Sequence, residues 1–202
     1  MKLLEVSNQG RISGEVFKMT PQYTYIKKVL KFDDELLENT FLQDGNISVV
    51  SGDGKNDDVR LPKGTKIEYP FHEVTGNFYA TNTKISSFEN FPNLCRFLSL
   101  GQCKQLKSLK GINKHILAIG TRYNSGYIDL SDAPIEDSIL SLIKIDYLDS
   151  IYYHPTSSNE LSRRLRKAIS IVNKHIKDKS NSSILSAQKE LIEADLDEYA
   201  EL

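Results

Sequence analysis

Four histidines, two cysteines and a short run of carboxylates are the residues of this chain with the widest chemical range. Their spacing gives them little to do together. His72, His115, His154 and His175 are scattered, and neither an H-E-x-x-H pair nor a Cys/His ligand cluster occurs. Cys95 and Cys103 are too few for a disulfide framework or a cysteine-only zinc site. Asp129, Asp132, Glu136 and Asp137 form a local acidic patch that reads as solvated loop rather than a two-metal centre. The segment SGDGKNDD at 51–58 lacks the glycine-to-lysine spacing and hydroxyl of a phosphate-binding loop. It also lacks the ligand spacing and terminal glutamate of a calcium loop. No nucleophile elbow is present. The expectation is a chain that is not an enzyme, with no catalytic residues, no metal and no cofactor; a hydrolase with an unrecognised site is the second alternative.

The elements that would position any functional residue emerge from a repeat. Ile85, Leu106, Tyr127 and Leu148 lie 21 residues apart, as do Phe88, Leu109, Leu130 and Ile151. Phe91, Ile112 and Ala133 form a third series, and Val74, Cys95 and Ile116 a fourth. Asn82, Cys103 and Asn124 share another position at the same step. A short unit cannot bury its own apolar face, whereas stacked units bury a continuous one. Phe88, Leu109 and Leu130 are accordingly expected in one interior column, and Tyr127 in the core.

The segment CRFLSLGQCKQLKSLKGI at 95–112 resembles a leucine-rich repeat that closes its strand turn with cysteine or asparagine. Its predecessor, TGNFYATNTKISSFENFP, is similar to degenerate leucine-rich repeats of bacterial and bacteriophage proteins. The resemblance covers residues 71–151. It implies that Cys95, Leu98 and Leu100 point inward, with Phe78 and Ala80 below them. Cys103 takes the turn-closing position, and Leu106, Leu109 and Ile112 line the return side. A small hydrogen-bonding residue there satisfies turning backbone, so Cys103 is expected to be structural. Thr121 and Gly126 depart from the pattern, which leaves open whether the last two units are repeats or a small α/β cap.

Flanking segments have other periods. In 1–70, Leu3–Val6 and Arg11–Phe17 suggest a hairpin across NQG, and Tyr23–Phe32 fits a strand or a short helix. Asp33–Leu42 is expected as a brief helix with Leu36, Leu37 and Phe41 inward, and Ile47–Val50 as a strand. Val59–Leu61 would be a partial first rung. After Pro155, Leu161, Leu165, Ile169, Val172 and Ile176 make a helical stripe capped by Ser157 or Ser158. A second helix from about 183 to 200 would present Leu185, Ile192, Leu196 and Tyr199. Residues 157–179 carry +5 and residues 180–202 carry −5, which favours antiparallel pairing of the two helices.

The expected architecture is α/β: a short leucine-rich-repeat-like parallel β-solenoid over 71–155. A β-rich N-terminal cap (1–70) and a C-terminal helical hairpin or cap (156–202) close its ends. The 202 residues, 39% apolar and 26% charged with net charge −1, exclude a wholly disordered polyampholyte and a strongly basic nucleic-acid binder. No apolar run is long enough to span a bilayer, and the polar start argues against a signal peptide. The expected location is cytoplasmic, and host cytoplasm for a bacteriophage-encoded chain. The expected function is non-catalytic recognition of another protein, such as a bacteriophage binder or inhibitor of a host protein. Arg96, Ser99, Arg122, Tyr123, Tyr152 and Tyr153 are its contact candidates. The alternative is nucleic-acid binding through Arg163, Arg164, Arg166 and Lys167 on the basic helix. Composition leaves the partner and the oligomeric state unassigned.

Overall fold

A computed structural model describes residues 20–51 and 57–202. The hairpin expected from Leu3–Val6 and Arg11–Phe17, and residues 52–56 of the polar segment, lie outside the described residues. The chain winds into a parallel β-solenoid of about four turns, followed by two C-terminal helices. Each complete turn contributes one short strand to each of two parallel sheets that meet at a corner. In the first sheet, β2 (Asn46–Val49), β4 (Phe71–Val74), β6 (Leu94–Cys95) and β8 (Ala118–Thr121) stack in order. In the second, β3 (Val59–Arg60), β5 (Asn77–Tyr79), β7 (Phe97–Ser99), β9 (Asn124–Asp129) and β10 (Leu148–Tyr152) do the same.

Backbone bonds define the interior columns. Leu61, Ala80, Leu100 and Leu130 donate in turn to the carbonyls of Tyr79, Ser99, Asp129 and Tyr152, at 2.8–3.0 Å. Beyond them the chain turns through a left-handed residue in three successive coils: Asn82, Gln102 and Asp132, with φ of 57°, 58° and 57°. A small buried side chain follows each: Thr83, Cys103 and Ala133. The Cys103 thiol donates to the Ala80 carbonyl at 3.0 Å, which satisfies turning backbone inside the core. Burial raises the thiol pKa of Cys103, and that of Cys95 as well. The turn column is therefore Asn82, Gln102 and Asp132, where the sequence spacing aligns Asn82, Cys103 and Asn124.

The 21-residue interval is met in the first sheet from Glu73 to Leu94, and other steps depart from it. From Phe78 to Leu98 the second sheet advances 20 residues, but from Leu98 to Ile128 it advances 30. The first sheet advances 24 between Cys95 and Ile119. The extra residues fall in two places, a single helical turn at Ile112–His115 and a hairpin joining β8 to β9. Leu130 is consequently buried in the column of Ala80 and Leu100, instead of sharing a column with Phe88 and Leu109. Tyr127 is not core: it is 36% exposed. Leu106, Leu109 and Ile112 line the return side, fully buried.

The ends are closed by different devices. At the N-terminal end, α1 (Pro21–Thr24) runs into a π-helical turn (Tyr25–Leu30) that stops at Lys31 in the left-handed region, so Tyr23–Leu30 is helical rather than extended and Phe32 lies beyond it. The Tyr25 hydroxyl donates to the Lys66 carbonyl at 2.7 Å and accepts from the Glu68 N–H, which ties this segment to the first turn. The brief helix α2 (Asp34–Glu38), capped by Asp33, stops at Asn39; Phe41 belongs to β1 (Thr40–Gln43). β1 pairs antiparallel with β2 through Asp44–Gly45, both at positive φ, as a two-residue hairpin turn requires.

At the other end, α3 (Ile112–His115) is a single turn, whereas α4 (Glu160–His175) and α5 (Asn181–Glu193) are substantial. Asn159, rather than a serine before it, caps α4 by accepting the Ser162 N–H. Leu165, Ile169, Val172 and Ile176 are buried on one face. On α5 the buried face is Ile184, Ala187 and Leu191; Leu185 and Ile192 are exposed, so the helix is rotated from the expected stripe. Leu196 and Tyr199 are buried beyond its end. Among the described residues no helix is long and apolar enough to cross a membrane.

Candidate protein-binding surface

Alternation along the second sheet decides what it presents. Phe78, Leu98, Ile128 and Ile151 point into the solenoid and are buried. Their neighbours therefore face outward: Asn77 and Tyr79, Phe97 and Ser99, Tyr127 and Asp129, Ser150 and Tyr152. In register these outward residues form two rows, Asn77–Phe97–Tyr127–Ser150 and Arg60–Tyr79–Ser99–Asp129–Tyr152. Aromatic side chains occupy both rows. The Tyr79 and Phe97 rings lie 5.5 Å apart and tilted by 60°, and the Tyr127 and Tyr152 rings 5.5 Å apart and tilted by 46°. The Arg60 guanidinium covers the Tyr79 ring at 3.7 Å.

Beside this face stands an arm. The β8–β9 hairpin pairs Gly120 with Ser125 and Thr121 with Asn124, leaving Arg122 and Tyr123 at its tip. The Thr121 hydroxyl accepts the N–H groups of Tyr123 and Asn124, which fixes the turn. The base of the arm requires glycine. A Cβ on Gly126 would lie 1.7 Å from the Ile119 carbonyl oxygen, and Gly120 has φ of +102°. Tyr123 is 87% exposed at the tip. Between arm and sheet runs a groove of about 600 Å³, lined by Tyr79, Arg96, Phe97, Tyr123 and Tyr127 among others.

Of the residues expected to make contacts, Arg96, Arg122 and Tyr123 lie at or beside this groove, and Tyr152 continues the aromatic run. Ser99 faces the same side but is buried. Its hydroxyl bonds Thr81 at 2.7 Å and Asp129 at 3.3 Å, beneath larger neighbours. Tyr153 turns inward against the core at the junction with α4, and burial raises its phenol pKa. Tyr79, Phe97 and Tyr127 were missed by the fixed spacing. The triplets NFY, FLS and YID, each with its middle residue inward, carry the signal that could have found them.

The basic helix is largely engaged. Arg164 makes two bonds to Glu198, at 2.6 and 2.9 Å, and a third to the Asp195 carbonyl. Arg163 pairs with Glu160 at 2.6 Å, and Lys167 donates to the Ala194 carbonyl at the end of α5. Arg166 is exposed. The carboxylates of the third turn are likewise occupied: Asp129 by Ser99 and Ser131, Asp132 by Thr156, Glu136 by Lys107, and Asp137 by Ser108. Among the described residues no three His, Cys, Asp or Glu side chains converge as metal ligands do. No protein-family model, curated protein or solved structure matches the chain.

Proposed function

We propose that the chain is a non-catalytic recognition module that binds another protein through the outer face of its second sheet and the adjoining arm. The observation that carries this reading is the run of outward aromatics Tyr79, Phe97, Tyr127 and Tyr152 beside a tip tyrosine almost wholly in water. Partly exposed tyrosines offer large, stiff contact area with a polar handle, the composition of interface anchors. A stiff stack of turns holds them in fixed register at little entropic cost on binding. The inward Leu98 and Leu100 and the bonded Cys103 thiol support placing the module among leucine-rich-repeat-like proteins. The resemblance to bacterial and bacteriophage repeats makes a host-protein binder or inhibitor, working in the host cytoplasm, one form of this activity. Nucleic-acid binding through α4 is the weaker reading, because Arg163, Arg164 and Lys167 are already bonded within the helical cap.

The test is affinity capture from native lysate with the full chain and with a folded Tyr123→Ala/Tyr127→Ala/Tyr152→Ala variant. A protein recovered by the wild type at moderate salt and lost with the variant supports the reading. A partner kept by that variant but lost with Arg163→Ala/Arg166→Ala, with steep salt sensitivity, contradicts it.

A further inference from the structure

Charge around the groove is unbalanced. Its lining includes the Arg96 side chain and no carboxylate, and Arg122 sits next to Tyr123 at the arm's tip. Neither arginine makes an ion pair among the described residues, whereas most cations of the helical cap do. Carboxylates around this face are already bonded within the chain: buried Asp57, beside Gly76, accepts from the Thr75 hydroxyl at 2.8 Å. Asp58 accepts from the Asn77 backbone and side-chain N–H groups at 2.8 and 3.2 Å and lies 3.5 Å from Arg60. Asp129 accepts from Ser99 and Ser131. In a chain of net charge −1, the groove is thus a local positive site with aromatic walls.

We infer that the groove takes an acidic segment of the partner polypeptide: an Asp or Glu carboxylate on Arg96 in the groove wall, with Arg122 at the arm's tip adding positive charge at its rim, and a neighbouring apolar or aromatic side chain against Phe97 and Tyr127. This rests on the protein-recognition reading and adds the chemistry of the partner. Guanidinium groups bind carboxylates in a planar, two-bond geometry, and the adjacent rings supply contact area for the next side chain.

The experiment is fluorescence anisotropy of the full chain with a labelled random glutamate–tyrosine copolymer, and with a lysine–tyrosine copolymer as its opposite. A second basic feature must be controlled. Lys84 and Lys104 follow the equivalent turn residues Thr83 and Cys103 and are both exposed. The expected result is binding of the acidic copolymer, weakened about tenfold or more by Arg96→Ala/Arg122→Ala and retained by Lys84→Ala/Lys104→Ala. Absent binding, equal binding of the basic copolymer, or dependence on the lysines instead of the arginines overturns the inference. If cellular capture stays tyrosine-sensitive while any of these occurs, only the acidic occupant is wrong. If capture loses its tyrosine dependence, the recognition reading fails with it.

Discussion

Closing the last turn of a solenoid leaves a strand edge with unpaired backbone, and here a side chain of α4 covers a buried part of it. β10 pairs with β9 on one side only. On its other side Asn173, from the last turn of α4, accepts the Ile151 N–H at 2.9 Å and donates to the Ile151 carbonyl at 3.0 Å. The amide thereby imitates a neighbouring strand. Ile151 is buried, so removing the amide strands a donor and an acceptor away from bulk water. At about 1–3 kcal/mol for each unsatisfied group, with some water entering the gap, Asn173→Ala should cost about 2–4 kcal/mol. Asn173→Leu fills the volume yet leaves both groups unpaired, and should cost nearly as much. Asn173→Asp keeps the acceptor and loses the donor, so it should fall between wild type and alanine. Equilibrium urea unfolding measures the series, and amide exchange at Ile151 reports the local effect. An alanine variant within about 0.5 kcal/mol of wild type, with unchanged exchange at Ile151, would refute the edge-capping reasoning.

Three further outcomes are expected. Gly126→Ala sets a methyl group against backbone at the base of the arm; it should lower stability by about 3 kcal/mol or more, read from the urea midpoint. Lys179 donates to the Leu148 carbonyl, and burial lowers its pKa from 10.5 to about 8 despite Asp146 and Asp149 nearby. Between those values the unfolded chain holds a proton that the folded chain has released, so stability rises with pH across that window. Relative to Lys179→Met, wild type should gain roughly 1–2 kcal/mol, after discounting for the side chain's partial exposure. The comparison cancels the opposite trend from Tyr25 and Tyr199, whose phenol pKa values burial raises, the latter to about 12. Both thiols, buried and with raised pKa, should resist an aromatic disulfide reagent in the native chain and react fully on unfolding. Rapid native reaction of either would contradict the placement of Cys95 and Cys103.

Leu98, Leu100 and Cys103 were legible in the sequence because the repeat that contains them has no insertion, so type and spacing both point to one register. Tyr127 was misread for the opposite reason. A helical turn and a hairpin enlarge the next coil, and a constant interval carries the phase past them onto the wrong face. Leu148 and Ile151 keep that interval and are buried, which hid the shift. The exposed Leu185 and Ile192 show a related limit. Both faces of α5 carry aliphatic residues, and only packing against α4 and the last turn selects Ile184 and Leu191. Arg122 and Tyr123 stood out by residue type, but their pairing with Tyr79, Phe97 and Tyr127 depends on which strands stack, which no local pattern encodes.

Hydrogen–deuterium exchange of the chain alone and bound to its captured partner would locate the contact directly. Protection confined to β5, β7, the β8–β9 arm and β10 is the predicted footprint. Protection over α4 and α5, with the arm at Arg122 and Tyr123 unchanged, would place recognition on the other side of the molecule and contradict the account.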